Sequence, residues 1–207
     1  MKKVILIILL TMLPLLLSSY LVITNENFFK GEFSKHNVYE KYPEVDLDEY
    51  NEDVLGYLRG RQENMPAEIF LNERELKHME DVRAVFGIFI LLLQIVIIGI
   101  ILLVSFTKDI SRILKLGGLF SIGFSLLLLV FFYFGFNFSF EVFHNLFFEE
   151  GSYLFLPTDS IINIYPQGLF FDIFTRVFFI SMLISIILIT ISKIYKRSCE
   201  RKTDKKK

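Results

Sequence analysis

The chain has 207 residues, 53% of them hydrophobic, and a formal net charge of −1. Its mean hydropathy of +0.51 and the gathering of its apolar residues into long blocks exclude an ordinary soluble domain. A single cysteine, Cys199, excludes an intrachain disulfide, and no basic surface pattern supports nucleic-acid binding.

In chain order, the first block runs from Val4 to Ile23 behind Met1-Lys2-Lys3. It is too long for a usual signal-peptide core and has no small-x-small cleavage site, so residues 1–24 are read as a retained transmembrane helix. Residues 25–83 are too many for a bare connector and predict a small cap. Asp46 followed by Glu49 resembles a capping box, and Leu47, Tyr50, Val54, Tyr57 and Leu58 keep a helical spacing that Gly60 can end. After Pro66, the run Ala67-Glu68-Ile69-Phe70 predicts a short strand. Asn72 with Glu75 is a second helix start, and Leu76, Met79, Val82 and Phe86 carry its pattern into the next apolar block.

That continuity places His78 six residues before Ala84, so about 9 Å beyond the hydrocarbon edge at a helical rise. Glu75 and Asp81 flank its face at i−3 and i+3, where a carboxylate can hold one ring nitrogen; a solvated, salt-bridged turn is the plain alternative. Residues 84–106 form the second span, 107–112 a short loop and 113–136 the third span. In the loop 137–168, Phe140, Phe143, Phe147 and Phe148 make an aromatic stripe opposite Glu141, Asn145 and Glu149, the pattern of a helix lying in the membrane interface. His144 falls on that stripe, where desolvation favours a neutral ring; a structural histidine bonded to backbone or headgroup is again the plain alternative. Gly151, Pro157 and Pro166 break up the remainder, leaving Asp159 on a turn where it can orient a histidine or cap a helix. Residues 169–192 are the fourth span, interrupted only by Asp172 and Arg176 near its start, and 193–207 are a basic tail.

Charge orients these elements. The two termini and the 107–112 side hold thirteen Lys and Arg against three acids, whereas residues 25–83 hold eight bases and fifteen acids. The positive-inside rule then puts both termini in the cytoplasm and both large loops, with both histidines, outside. The fold class expected is an all-α membrane protein of four transmembrane helices, with an extracytoplasmic cap from loop one and an interfacial helix in loop two.

Nucleophile elbows, phosphate-binding loops, H-E-x-x-H and C-x-x-C are all missing, and the three histidines show no metal-ligand spacing. No metal and no cofactor is expected. Chemistry, if present, rests on acid–base groups and a nucleophile from the substrate.

Three segments carry a resemblance: His78-Met79-Glu80-Asp81-Val82-Arg83 leading into span two, Phe143-His144-Asn145-Leu146-Phe147-Phe148 after span three, and Pro157 to Pro166 followed by Phe170-Phe171-Asp172. With the order of the spans, they resemble the bacterial lipoprotein intramolecular transacylases (Lit). The pattern departs at Tyr153 and Gln167, where that family usually has a tryptophan and an acid. The resemblance implies a cytoplasmic-membrane enzyme acting at the outer leaflet on diacylated lipoproteins, with membrane lipids around it. It moves the sn-2 acyl chain of a diacylglyceryl-cysteine to the α-amine and leaves the lyso form. His78 and His144 are the expected catalytic pair, with Glu75, Asp81, Arg83, Asn145 and Asp159 as binding or supporting residues. Local environment suggests His144 as base and His78 as its charged partner, although the reverse division fits almost equally. Two other classes stay open: a non-catalytic assembly or partner-binding protein, and a metal-dependent lipid hydrolase using His36, His78, His144 and Asp159.

Overall fold

In hydrocarbon a backbone can satisfy its N–H and C=O groups only within a helix or a closed barrel, so long apolar runs become helices. The computed structural model describes residues 1–66, 69–149 and 151–204, with side chains up to residue 201. Within them the chain forms α1 (Lys2–Ile23), α2 (Glu26–Lys35), α3 (Val38–Lys41), α4 (Leu47–Leu58), α5 (Glu73–Val104), α6 (Ile110–Phe134), α7 (Phe136–Phe147), α8 (Ser160–Ile164) and α9 (Gln167–Asp204). Helices α1, α5, α6 and α9 are each long and apolar enough to cross a membrane. The four expected spans are therefore present, as are helices in both large loops. The strand expected at Ala67–Phe70 falls partly outside the described residues; Ile69 and Phe70 are not in a strand.

The chain divides into two compact units. The first comprises Met1–Tyr20, Leu91–Val130 and Thr175–Lys207. Leu6, Leu10 and Ile113 are buried at its centre, with Ile100, Leu103 and Val104 packed around them. Lipid tails are as apolar as leucine, so small residues and hydroxyls fasten such helices to each other. On α6 and α9, Ser125 and Ser181 hydroxyls lie 2.8 Å apart, and the Ser185 hydroxyl donates to Ser121 at 2.9 Å. Farther along, Ser192 donates to the Ser111 carbonyl and Ser111 to the Ser192 carbonyl. Gly117 and Gly118 let the backbones approach: a Cβ on Gly118 would sit 2.9 Å from the Ser185 carbonyl oxygen.

The second unit comprises Leu21–Ile90 and Phe131–Phe174. Its helix starts follow the sequence signals. Asn25 caps α2 by accepting from Phe28 N, and Asp46 caps α4 by accepting from Asp48 N and Glu49 N. Gly60, at φ +73°, closes the end of α4. Phe29 and Phe33 pack edge-on or tilted against Tyr165, whose hydroxyl donates to the buried Asn51 on α4. The segment around α8 is thereby fixed to α2 and α4.

Gly118→Val should lower the thermal midpoint in detergent by overpacking the α6–α9 contact, at a cost of about 1–3 kcal/mol. Gly123→Ala, where an added Cβ meets nothing within 4 Å, should leave the midpoint unchanged or raise it.

Candidate active site

The first turn of α5 is held by a reciprocal capping box. Asn72 Oδ1 accepts from Arg74 N and Glu75 N, and Glu75 Oε2 accepts from Asn72 N at 2.7 Å. Glu75 is only 1% exposed. Its other oxygen, Oε1, accepts from Ile161 N at 2.7 Å, so one buried carboxylate caps both α5 and α8. Asp159 reinforces the junction. Its carboxylate pairs with Arg74 at 2.9 Å and accepts from Asn72 Nδ2 and Leu156 N. As a result, Asp159 precedes α8 without its side chain capping that helix, and its hydrogen bonds go to Arg74, Asn72 and Leu156 rather than to an imidazole.

One turn beyond Glu75, α5 presents His78 to the aromatic segment after span three. The rings of His78 and His144 stack with centroids 6.3 Å apart and planes inclined by 16°. Phe148 and Phe155 flank His78 at 4.8 and 5.3 Å. Phe140, Tyr153 and Phe148 surround His144 at 4.1, 4.8 and 5.5 Å. Both histidines are buried, at 7% and 9% exposure.

Hydrogen bonding assigns the tautomer of His144. Its Nδ1 lies 2.7 Å from the Phe140 carbonyl oxygen, which can only accept, so Nδ1 carries the proton. The lone pair of the neutral ring is then on Nε2. His78 Nδ1 is buried without a hydrogen-bond partner. The polar turns of α5 that hold His78 precede the apolar run starting at Ala84. Burial, with the nearby His144 adding to it, pushes the His78 pKa down to about 4, and Asp81 opposes this more weakly. Burial also lowers His144, against the hydrogen bond to Phe140. The expectation of a charged His78 is corrected: burial outweighs Asp81, and with both pKa values lowered the rings are neutral at pH 7.

The supporting residues sort into two groups. Glu75 and Asp159 build the junction just described, and Asn145 accepts from the Tyr153 hydroxyl at 2.6 Å beside His144. Asp81 instead pairs with Lys77 at 3.3 Å. Arg83 lies over the Tyr57 ring at 4.6 Å and donates to the Glu63 carbonyl, so its observed contacts are with α4 and the irregular stretch after it. His36 joins Glu32 and Asp172, and this trio is the one metal-capable group among the described residues. A hydrolase site built from His36, His78, His144 and Asp159 is thus not assembled. Sequence reasoning gave Tyr153 no role in the site and passed over Phe155. Tyr153 stands at a recognised departure from the family pattern, whereas Phe155 lies in an irregular segment with no periodicity to single it out.

Two neutral imidazoles in aromatic surroundings, one with its lone pair set on Nε2, can accept and donate protons. A family model described as lipoprotein intramolecular transacylase Lit matches residues 4–171. An uncharacterized protein of Aquifex aeolicus is 28% identical over 207 aligned residues, covering 91% of this chain and 93% of that one. Among solved structures, the membrane integral lipoprotein intramolecular transacylase Lit of Bacillus cereus superposes with a TM-score of 0.86 at 15% identity, covering 97% of this chain and 96% of that one. A histidine-to-arginine variant of that protein matches with a TM-score of 0.80 at 16% identity, covering 97% and 93%. At these identities the structural matches establish a shared fold.

Two measurements follow from this geometry. Glu75→Gln puts an amide where two N–H groups need acceptors, and should cost about 1.5–3 kcal/mol in thermal unfolding, with His78 itself unchanged. The second concerns pH. A histidine whose folded pKa is depressed binds its proton more readily when unfolded, so stability falls as pH drops from about 6.5 towards 4. The His78 contribution to that loss is on the order of 3 kcal/mol, and His78→Gln should flatten the midpoint-against-pH curve in this window.

Proposed function

The chain belongs to the lipoprotein intramolecular transacylase family, Lit, and from this membership we propose that it converts diacylglyceryl lipoproteins to the lyso form. It is a multi-pass bacterial membrane protein of the transacylase family. In the proposed reaction the α-amine of the lipid-modified cysteine attacks the sn-2 ester carbonyl. The amide C–N bond forms, the ester C–O bond breaks, and the proton lost by the amine goes to the departing glycerol oxygen. An ester becomes an amide within one molecule, so no nucleotide, coenzyme or metal is called for, and positioning supplies much of the acceleration.

The stacked histidine pair carries this reading. His144, with its lone pair on Nε2, takes the proton from the attacking amine. The imidazolium so formed is disfavoured by burial, which drives the proton on to the glycerol oxygen. His78 is neutral and acts as a hydrogen-bond donor to the oxyanion, not as a preformed cation. Tyr153 and Asn145 hold the ring of His144, and Phe140, Phe148 and Phe155 supply a surface for the acyl chain. The charge asymmetry of the loops supports cytoplasmic termini and a reaction at the outer leaflet. Arg83, held by Tyr57 and Glu63, is a structural residue in this mechanism.

Mass spectrometry of a diacylated reporter lipoprotein tests the proposal. The unmodified chain should yield the N-acyl, S-monoacylglyceryl product. His78→Ala and His144→Ala should each reduce it by at least the roughly 10²–10⁴-fold that acid–base groups contribute, with Arg83→Ala staying within about tenfold of the parent. Lyso product persisting in both histidine variants at normal protein levels would refute the assignment.

A further inference from the structure

A second polar cluster shares no residue with the histidine pair and has its own contacts. Glu32 and His36 are one helical turn apart at the end of α2, where His36 is the C-cap residue. Asp172, the sixth residue of α9, meets them. His36 Nε2 is 3.0 Å from Asp172 Oδ2 and 3.6 Å from Glu32 Oε2, and one donor atom from each residue lies within 4.8 Å of the others. Gly168 permits this placement: a Cβ there would be 2.7 Å from His36 Cε1.

Donor spacing decides what such a trio can hold. Zinc binds nitrogen and carboxylate oxygen at about 2.0–2.2 Å, so neighbouring tetrahedral donors stand roughly 3.3–3.5 Å apart. The two His36 separations, 3.0 and 3.6 Å, bracket that spacing without movement of the helices. Glu32 Oε2 is sealed from solvent and receives no N–H donor, and the Glu32 carboxyl faces that of Asp172. Lys35 Nζ is 2.6 Å from Asp172 Oδ2 and 3.8 Å from Glu32 Oε2. That ammonium contacts both carboxylates, and its side chain is 56% exposed. An open cleft of about 470 Å³, lined by Lys35, His36, Asn137, Gln167 and Asp172, provides entry and room for a water as fourth ligand.

We propose that Glu32, His36 and Asp172 form a structural divalent-metal site of the zinc class that ties α2 to the start of α9. The ion replaces the ammonium of Lys35 and satisfies Glu32 Oε2. It takes no part in the chemistry of His78 and His144.

The full chain in detergent, stripped with EDTA and then exposed to zinc alone, provides the test by elemental analysis and thermal unfolding. One zinc per chain should be retained, with the midpoint rising by roughly 5 °C at a hundredfold excess over Kd. His36→Gln or Asp172→Asn should weaken binding by at least the about 10–100-fold that loss of a mere supporting partner costs. Lys35→Gln should tighten binding several-fold, because it removes the competing cation; a simple ion-pair staple would be weakened by that change and gain no zinc affinity. The double variant His78→Gln, His144→Gln should keep its zinc. Zinc no higher than in a Glu32→Gln, His36→Gln, Asp172→Asn chain overturns the proposal, as does zinc that disappears with the His78, His144 double variant instead.

Discussion

A single buried carboxylate, that of Glu75, sets the geometry on which the candidate site depends. It closes the capping box at the start of α5 and accepts the Ile161 N–H at the start of α8. A carboxylate at 1% exposure is tolerable only when its oxygens are hydrogen-bonded, and here the partners come from two segments distant in sequence. The same residue therefore fixes the register of the helix bearing His78 against the irregular stretch that supplies Phe155. Arg74 and Asp159 extend the junction, and the Arg74 guanidinium also covers Phe155 at 5.4 Å. Charge and hydrogen bonding hold the walls, and the walls hold the imidazole.

What the walls do to the imidazoles matters more than charge along the helix. Aromatic rings exclude water from His78 and His144 and leave both neutral near pH 7. For an acyl shift between two groups of one substrate, neutral rings are the useful form. One can take a proton from an amine of pKa about 8, and the other can donate a hydrogen bond without carrying charge into an apolar site. The Phe140 carbonyl completes the arrangement by setting which nitrogen of His144 faces outward chemically.

Much of this was legible in the sequence because it is local. Apolar run length defined four spans, and the Asp46–Glu49 and Asn72–Glu75 pairs marked the starts of α4 and α5 as observed. The stripe of α7 placed His144 among phenylalanines correctly. What was not legible is non-local. Spacing on α5 suggested Glu75 as a neighbour of the His78 ring, but its second oxygen goes to Ile161, eighty-six positions away. Asp81 and Arg83 share the helix with His78, yet lysine and tyrosine partners draw them off. Likewise the desolvation of His78 comes from Phe148, which the stripe placed beside His144 but not beside His78, and from Phe155, which lies outside any helix and carries no periodic signal.

The protonation and tautomer of the two rings are the central physical claim, and nitrogen-15 NMR of histidine-labelled protein across pH 5–8 reads both directly. His78 should remain neutral down to at least about pH 6, and His144 should titrate below the ordinary histidine range with its proton on Nδ1. A His78 that is protonated at pH 7, or a His144 carrying its proton on Nε2, would contradict the account.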